Sequence, residues 1–184
     1  MDKNADILRL PAIALRGLVV FPGNIIHFEV GRKKSIAAIE WAMSNNNAVF
    51  LTAQQDMDVE DPGFKDLYAY GVVAEVKQVL RVSDELVKVL VEGKYRAKLL
   101  TLDSSGRFLL ASTKAAALRG TKSVDSARVE ALVRSVKEAF EEYLSLNPRL
   151  SKDVVYTIIT NEDAALLCDY IPANLLLKYT DKQA

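Results

Sequence analysis

Gly93-Lys94-Tyr95-Arg96-Ala97-Lys98-Leu99 sets charged residues at 94, 96 and 98 against Tyr95, Ala97 and Leu99. A period of two is the mark of an antiparallel strand with one wet face. Working outward, residues 72–82 read as a strand closed by Ser83-Asp84-Glu85. Residues 86–91 read as another, turning through Gly93 into a strand over 95–102. Ser104-Ser105-Gly106 makes a further turn before a last strand at 108–112. Toward the N-terminus, 48–53 is a short buried strand, 25–30 is extended and stops at Gly31, and Leu18-Val19-Val20-Phe21 meets the turn signal Pro22-Gly23. Residues 7–15 are apolar but hold Pro11, which places them on a sheet edge or makes them irregular. Only 32–44 changes period, with Ile36, Ile39, Ala42 and Met43 on one helical stripe. Short strands with one inserted helix predict a small barrel-like sheet and argue against a doubly wound parallel one.

The rest of the chain is helical. Residues 115–122 read as a linker, followed by an amphipathic helix over 124–146. Val129, Leu132, Val133, Val136, Phe140 and Tyr143 form its apolar stripe, opposite Arg134, Lys137, Glu138 and Glu141. Asn147-Pro148 stops it. Ser151 caps a helix to about Thr160, and Asn161 caps the next, which ends before Pro172. The expected architecture is α+β: a β-rich lobe over 1–118, then a helical bundle over 119–184.

Composition narrows the function. Half of the 184 residues are apolar and 24 basic residues balance 24 acidic ones. That excludes a disordered chain and gives no field that would draw it to nucleic acid or an anionic membrane. One cysteine, Cys168, excludes a disulfide framework and a Cys-rich zinc site, and among Ala164, Leu166 and Leu167 it reads as a packing residue. The one histidine, His27, sits in an apolar strand with no nucleophile beside it. Gly31-Arg32-Lys33-Lys34-Ser35 has the outline of a phosphate loop. It lacks the Gly-Lys-Ser/Thr order and has Ile26 where the leading glycine belongs, so it reads as a helix start. In the acidic loop Asp56, Asp58, Glu60, Asp61, a calcium loop would need glycine and glutamate where Asp61 and Leu67 stand. No catalytic, cofactor or metal-ligating set emerges. With a polar N-terminus and no long apolar run, a cytoplasmic protein without membrane contact is expected. What remains is turn-flanked apolar residues: Phe21 and Pro22, Phe64, Leu67, Tyr68 and Tyr70. Of these, Phe21, Pro22, Phe64 and Tyr68 are the candidate contacts for a protein ligand.

A longer pattern runs through the chain. It starts with Leu10-Pro11, Leu15-Arg16-Gly17-Leu18-Val19-Val20-Phe21-Pro22-Gly23, Val30-Gly31-Arg32 and Lys34-Ser35-Ile36-Ala37-Ala38-Ile39. It continues with Ala53-Gln54-Gln55-Asp56, Asp66-Leu67-Tyr68, Gly71-Val72-Val73-Ala74 and Val87-Lys88-Val89-Leu90-Val91-Glu92-Gly93 with Arg96. It ends with Leu175-Leu176-Leu177-Lys178 and Lys182-Gln183. This ordered series resembles the N-terminal domain of the bacterial Lon family of ATP-dependent proteases, departing from it at Gly17, Asn24 and His27. The resemblance implies a PUA-like, barrel-type β lobe followed by a helical lobe. It also implies recognition of unfolded, damaged or degron-bearing proteins for quality control, and support of a homohexamer. The chain itself is expected to be a monomer or dimer, either an excised piece or a short stand-alone relative. In the family, ATP and magnesium are bound by an AAA+ module, and proteolysis falls to a Ser-Lys module. Neither sequence is present here, so no enzyme activity and no cofactor are expected of this chain. The alternative is a stand-alone PUA-like nucleic-acid-binding module, which the balanced charge opposes because phosphate contacts dominate such affinity.

Overall fold

The computed structural model describes residues 7–116, 126–147 and 150–183. Two compact units divide the chain: the first runs through Ala116 and takes in the residues from Leu177 onward, and the second is the stretch between, to Leu176. The expected linker lies mostly outside the described residues.

In the first unit, β1 (Ile7–Leu15) and β2 (Ile25–Val30) precede helix α1 (Lys33–Met43). Strands β3 (Ala48–Ala53), β4 (Tyr70–Arg81), β5 (Val87–Asp103) and β6 (Leu109–Ala115) follow. They form one six-stranded sheet in the order β2-β5-β4-β3-β1-β6, and β6 also pairs with β5. The ladder from β5 through β4, β3, β1 and β6 therefore returns to β5, with β2 added outside it. Only the β1–β3 pairing is parallel. Ala97 and Leu99 are buried and Lys94 and Lys98 exposed, as the alternation predicts, although Tyr95 also turns outward. The fold is mixed α+β.

Two details differ from the sequence reading. Gly93 makes no turn, because β5 runs through it unbroken for 17 residues. The Phe21 carbonyl oxygen lies 2.3 Å from where a Cβ at Gly93 would stand. The Gly93 N–H donates to the Asn24 carbonyl at 2.9 Å, and the Gly23 N–H donates to the Gly93 carbonyl at 2.8 Å. This glycine serves close backbone approach. Pro11, in turn, does not put β1 on an edge. The β3 pairing begins only at Ala12, while Pro11 pairs with Leu110 of β6. At that residue the strand has a single hydrogen-bonded side, so the missing N–H breaks no ladder on the other.

α1 packs its small residues on the sheet. Ser35, Ala38, Ile39 and Ala42 are buried, whereas Met43 is exposed and Ile36 half-buried. The buried stripe is thus rotated by one residue from the predicted one and takes in a hydroxyl. The core beneath it contains Val49, Leu51, Val89 and Val91.

On the wet face of β4 and β5, Glu75 and Glu92 are register partners. Like charges directly opposite repel, and two lysines offset this. Lys77 Nζ reaches both carboxylates at 2.8 Å, and Lys94 Nζ reaches them at 2.9 and 2.7 Å. Hydrogen bonds from Lys77 and then Lys94 lower the Glu92 pKa from the ordinary 4.5 to about 2. A depressed carboxylate contributes stability above its unfolded value and loses it as pH falls through the folded one. Wild type should therefore lose thermal midpoint more steeply than Glu92→Gln as pH drops from about 4.5 to 2, and high salt should shrink the difference because the network is open to solvent. Parallel acid profiles would refute this.

The second unit contains α2 (Ser126–Leu146), α3 (Lys152–Thr160) and α4 (Ala164–Asn174). Phe140, Ile158 and Leu167 form its buried centre. Ser151 caps α3 as predicted, its hydroxyl accepting from the Val154 N–H at 3.4 Å. Asp163, not Asn161, caps α4, accepting from Ala165 N–H at 2.9 Å. Asn161 instead accepts from the Asp163 N–H at 2.8 Å, one step upstream. Pro172 lies inside α4, close enough to its end that few residues follow. Cys168 is exposed, and Leu167 beside it takes the buried position. Leu132 and Val136, both on the predicted stripe of α2, are also exposed. The short helix α5 (Tyr179–Gln183) belongs to the first unit. Tyr179 Oη donates to the Gln55 carbonyl and Gln183 Nε2 to the Tyr70 carbonyl, both at 3.1 Å. No helix among the described residues is long and apolar enough to cross a membrane.

Candidate functional site

The four candidate contacts have different environments. Phe21 is only 7% exposed. Its backbone is pressed against Gly93, and the turn it enters carries Gly23 in the left-handed region at φ +77°. The expected exposed anchor is a buried one, because the loop between β1 and β2 folds back onto β5 at Gly93 and does not project. Pro22 beside it is half-buried. Phe64 opens a 3-10 turn, Phe64–Asp66, and is 47% exposed. That turn is held by the Asp66 carboxylate, which accepts from the Gly63 N–H at 2.8 Å. Tyr68 is half-buried and tied to β3: its N–H donates to the Ala53 carbonyl at 3.1 Å, and its carbonyl accepts from Thr52 Oγ1 at 2.9 Å. Tyr70, 50% exposed, joins Phe21 in lining one shallow cleft of the first unit; Pro22, Phe64 and Tyr68 do not line it. Met57, 45% exposed, lies on the neighbouring loop, which the Gln55 N–H ties to the Asp66 carbonyl at 2.8 Å.

A second cleft, of about 330 Å³, lies where β1 and β2 meet the start of α1. Ile13, Leu18, Phe28 and Val30 give it apolar walls, and Arg16, Glu29, Arg32 and Ser35 give it polar ones. Arg32, one of its lining residues, is held by Gln54, which is fully buried. Gln54 Nε2 donates to the Asp56 and Val59 carbonyls at 3.0 and 2.9 Å, and Gln54 Oε1 accepts from Arg32 Nη2. Arg32 also donates to the Ala14 carbonyl at 3.2 Å and the Val59 carbonyl at 3.3 Å, and Arg16 donates to the Val59 carbonyl at 3.2 Å. Burial pushes the Arg32 pKa down, as does the charge of Arg16, with Asp61 and Glu60 opposing. Lys34 of α1 pairs with Asp61 at 3.0 Å.

Ser35 is 5% exposed and lines the cleft. Its position is legible in the 35, 38, 39, 42 spacing once the helix phase is known. The Arg32–Gln54–Val59 network is not legible, since its members meet only through tertiary folding.

Comparison with known proteins assigns the chain. Residues 9–184 match the family described as the ATP-dependent protease La (LON) substrate-binding domain. A Lon protease of Desulforamulus reducens is 38% identical over 180 residues, covering 98% of this chain and 22% of that protein. The Lon protease of Escherichia coli K12 is 36% identical over 182 residues, covering 99% of this chain and 23% of its own length. The chain thus spans less than a quarter of these curated relatives. Among solved structures, the N-terminal domain of a Mycobacterium avium complex Lon protease superposes with a TM-score of 0.75 at 18% identity, over 96% of this chain and 88% of the other, which shows a shared fold. From the match across nearly its whole length, and from relatives 36–38% identical, the chain belongs to the family of Lon substrate-binding domains.

Proposed function

We propose that this chain captures non-native or degron-bearing protein segments for a Lon-type protease, and that it contributes to the assembly of subunits into a homohexamer. ATP and magnesium are then handled, and peptide bonds cut, outside this chain. The ring of strand pairings corresponds in this reading to a PUA-like, barrel-type lobe, and helices α2 to α4 to a second lobe, with α5 falling in the first unit. The observation that carries the reading is the exposure of large apolar side chains, Met57 and Phe64 on loops and Tyr70 at the start of β4, in a chain of this family. An unfolded client offers extended apolar segments, and exposed aromatics are effective anchors for them. In this reading Phe64, Tyr68 and Tyr70 supply the contact surface, and Phe21, with Pro22 beside it, shares a cleft with Tyr70.

Affinity for a labelled unfolded protein should lie in the micromolar range, about −8 kcal/mol, because ordering the client offsets much of each contact. Phe64→Ser should weaken it about tenfold, with the thermal midpoint unchanged. Binding should depend only weakly on salt, whereas phosphate contacts would make it fall steeply. Titrating unfolded protein and RNA at two salt concentrations separates the readings. Tight, salt-sensitive RNA binding without uptake of unfolded protein would replace this function with the nucleic-acid-binding one.

A further inference from the structure

We propose that the outer edge of β2 pairs with itself: two copies of this chain join there by antiparallel β2–β2 pairing about a two-fold axis. The contact stands on β2 alone, independently of client capture, and gives the assembly role proposed above a surface.

β2 ends the sheet and, among the described residues, pairs with β5 only. That pairing fixes where its backbone groups point. The Asn24 carbonyl accepts from the Gly93 N–H at 2.9 Å, and on the far side of β5 the Val82 N–H donates to the Leu86 carbonyl at 3.0 Å. In an antiparallel ladder, successive residues turn their N–H and C=O groups to alternate sides. Both bonds therefore turn Val87, Val89 and Val91 toward β2, where their register partners Val30, Phe28 and Ile26 complete the ladder. The N–H and C=O groups of Ile25, His27 and Glu29 then point away from β5, and no other described strand pairs with them. Exposed edges are normally blunted by proline, lysine or a bulge. Ile25–Val30 contains no proline or lysine and pairs without a register shift.

The side chains select the partner. Ile25, His27 and Glu29 are exposed, while Ile26 and Phe28 are half-buried against the core. Two-fold pairing can centre on His27 or on Phe28. Centred on His27, it sets each Glu29 against an Ile25. Centred on Phe28, it sets His27 against Glu29 of the second copy, twice by symmetry, so that each imidazole can donate to a carboxylate. This second register also brings Phe28 onto its own counterpart and Ile26 onto Val30. Those are the non-hydrogen-bonded positions, where cross-strand side chains come closest. Glu29 already has Lys88 of β5 as its register partner on the other side, so oppositely charged neighbours continue across the joined sheet. The strand is complementary to itself in backbone, charge and apolar contact, as an isologous interface requires. A client segment of arbitrary sequence would match the backbone alone.

The test is sedimentation of the whole chain over a range of concentrations, with Trp41 fluorescence reporting whether each variant is folded. Wild type should pass from monomer to dimer. His27→Pro should abolish the dimer, because the N–H it removes points outward and the β5 ladder does not use it. His27→Glu sets carboxylates opposite each other at both symmetric positions and should weaken the dimer about tenfold. Adding Glu29→Lys to His27→Glu restores opposite charges and should return the wild-type association. Should His27→Pro fail to fold, the charge variants still decide. A dimer unchanged by His27→Pro and His27→Glu would overturn the β2 contact and leave assembly through another surface standing. Weakening by His27→Glu that Glu29→Lys does not reverse would overturn the His27–Glu29 register. A wild type monomeric at every concentration would overturn this contact and the assembly role together. If that monomer takes up labelled unfolded protein and His27→Pro abolishes the uptake, the second copy is overturned and the edge belongs to client strands.

Discussion

Gly93→Ala is expected to lower the thermal midpoint of the first unit by about 12 °C, corresponding to a loss of about 3 kcal/mol. The new methyl would stand 2.3 Å from the Phe21 carbonyl oxygen, 3.1 Å from its carbonyl carbon and 3.3 Å from Val72. The first two are backbone atoms, so no rotamer change relieves them. Moving that backbone away would stretch the two hydrogen bonds that tie Gly93 to Gly23 and Asn24. It would also pull Phe21 out of its buried position. Gly71→Ala should behave in the same way, since its Cβ would meet the Leu51 carbonyl oxygen at 2.3 Å and Phe50 at 2.8 Å. Gly106→Ala is the control: the nearest atom there is 3.7 Å away and should tolerate the methyl, with a change within about 0.5 kcal/mol. The single tryptophan, Trp41, sits on α1 and packs against Phe108 at 5.7 Å between ring centroids. Its fluorescence therefore reports unfolding of the first unit directly. Equal midpoints for Gly93→Ala and Gly106→Ala would show that the approach of Phe21 to β5 is not tight.

Phe140→Ala should cost the second unit about 3–5 kcal/mol, the range for deleting a buried aromatic ring and leaving a cavity. Phe140 is 4% exposed and packs with Ile158 and Leu167, the only other fully buried apolar residues of that unit among those described. Its ring also stacks on Tyr143, with centroids 6.4 Å apart. A core this small has no reserve: Leu132 and Val136, on the same helix, are too exposed to compensate. Glu141→Ala, one residue further and facing solvent, should cost little. The helical far-UV signal follows both variants, and equal shifts would mean that α2 is phased differently.

Local patterns already contained much of this protein. The alternation at 94–99, the place of Phe140 on the α2 stripe and the Ser151 cap each lie within a few residues, so they are legible without a structure. The family pattern was legible as well, because an ordered series of motifs across the chain is more specific than any one of them. The proposed substrate capture rests on that pattern together with the exposed aromatics Phe64 and Tyr70.

What sequence could not show are the places where distant backbone segments meet. Gly93 has the local signature of a turn and is instead the point where Phe21 crosses β5. Pro11 reads as an edge or irregular residue, yet its strand lies between β3 and β6; the proline is accommodated because the register of β3 begins one residue later. Phe21 reads as an exposed anchor and is buried by that same crossing. Ser35 reads as a helix-start residue, yet its helix docks in a phase that buries it beside a cleft also lined by Arg16 and Arg32. Period and composition are set by residues close together in the chain. Burial at a crossing depends on which strands pair and in what register, and those long-range contacts exist only once the sheet has formed.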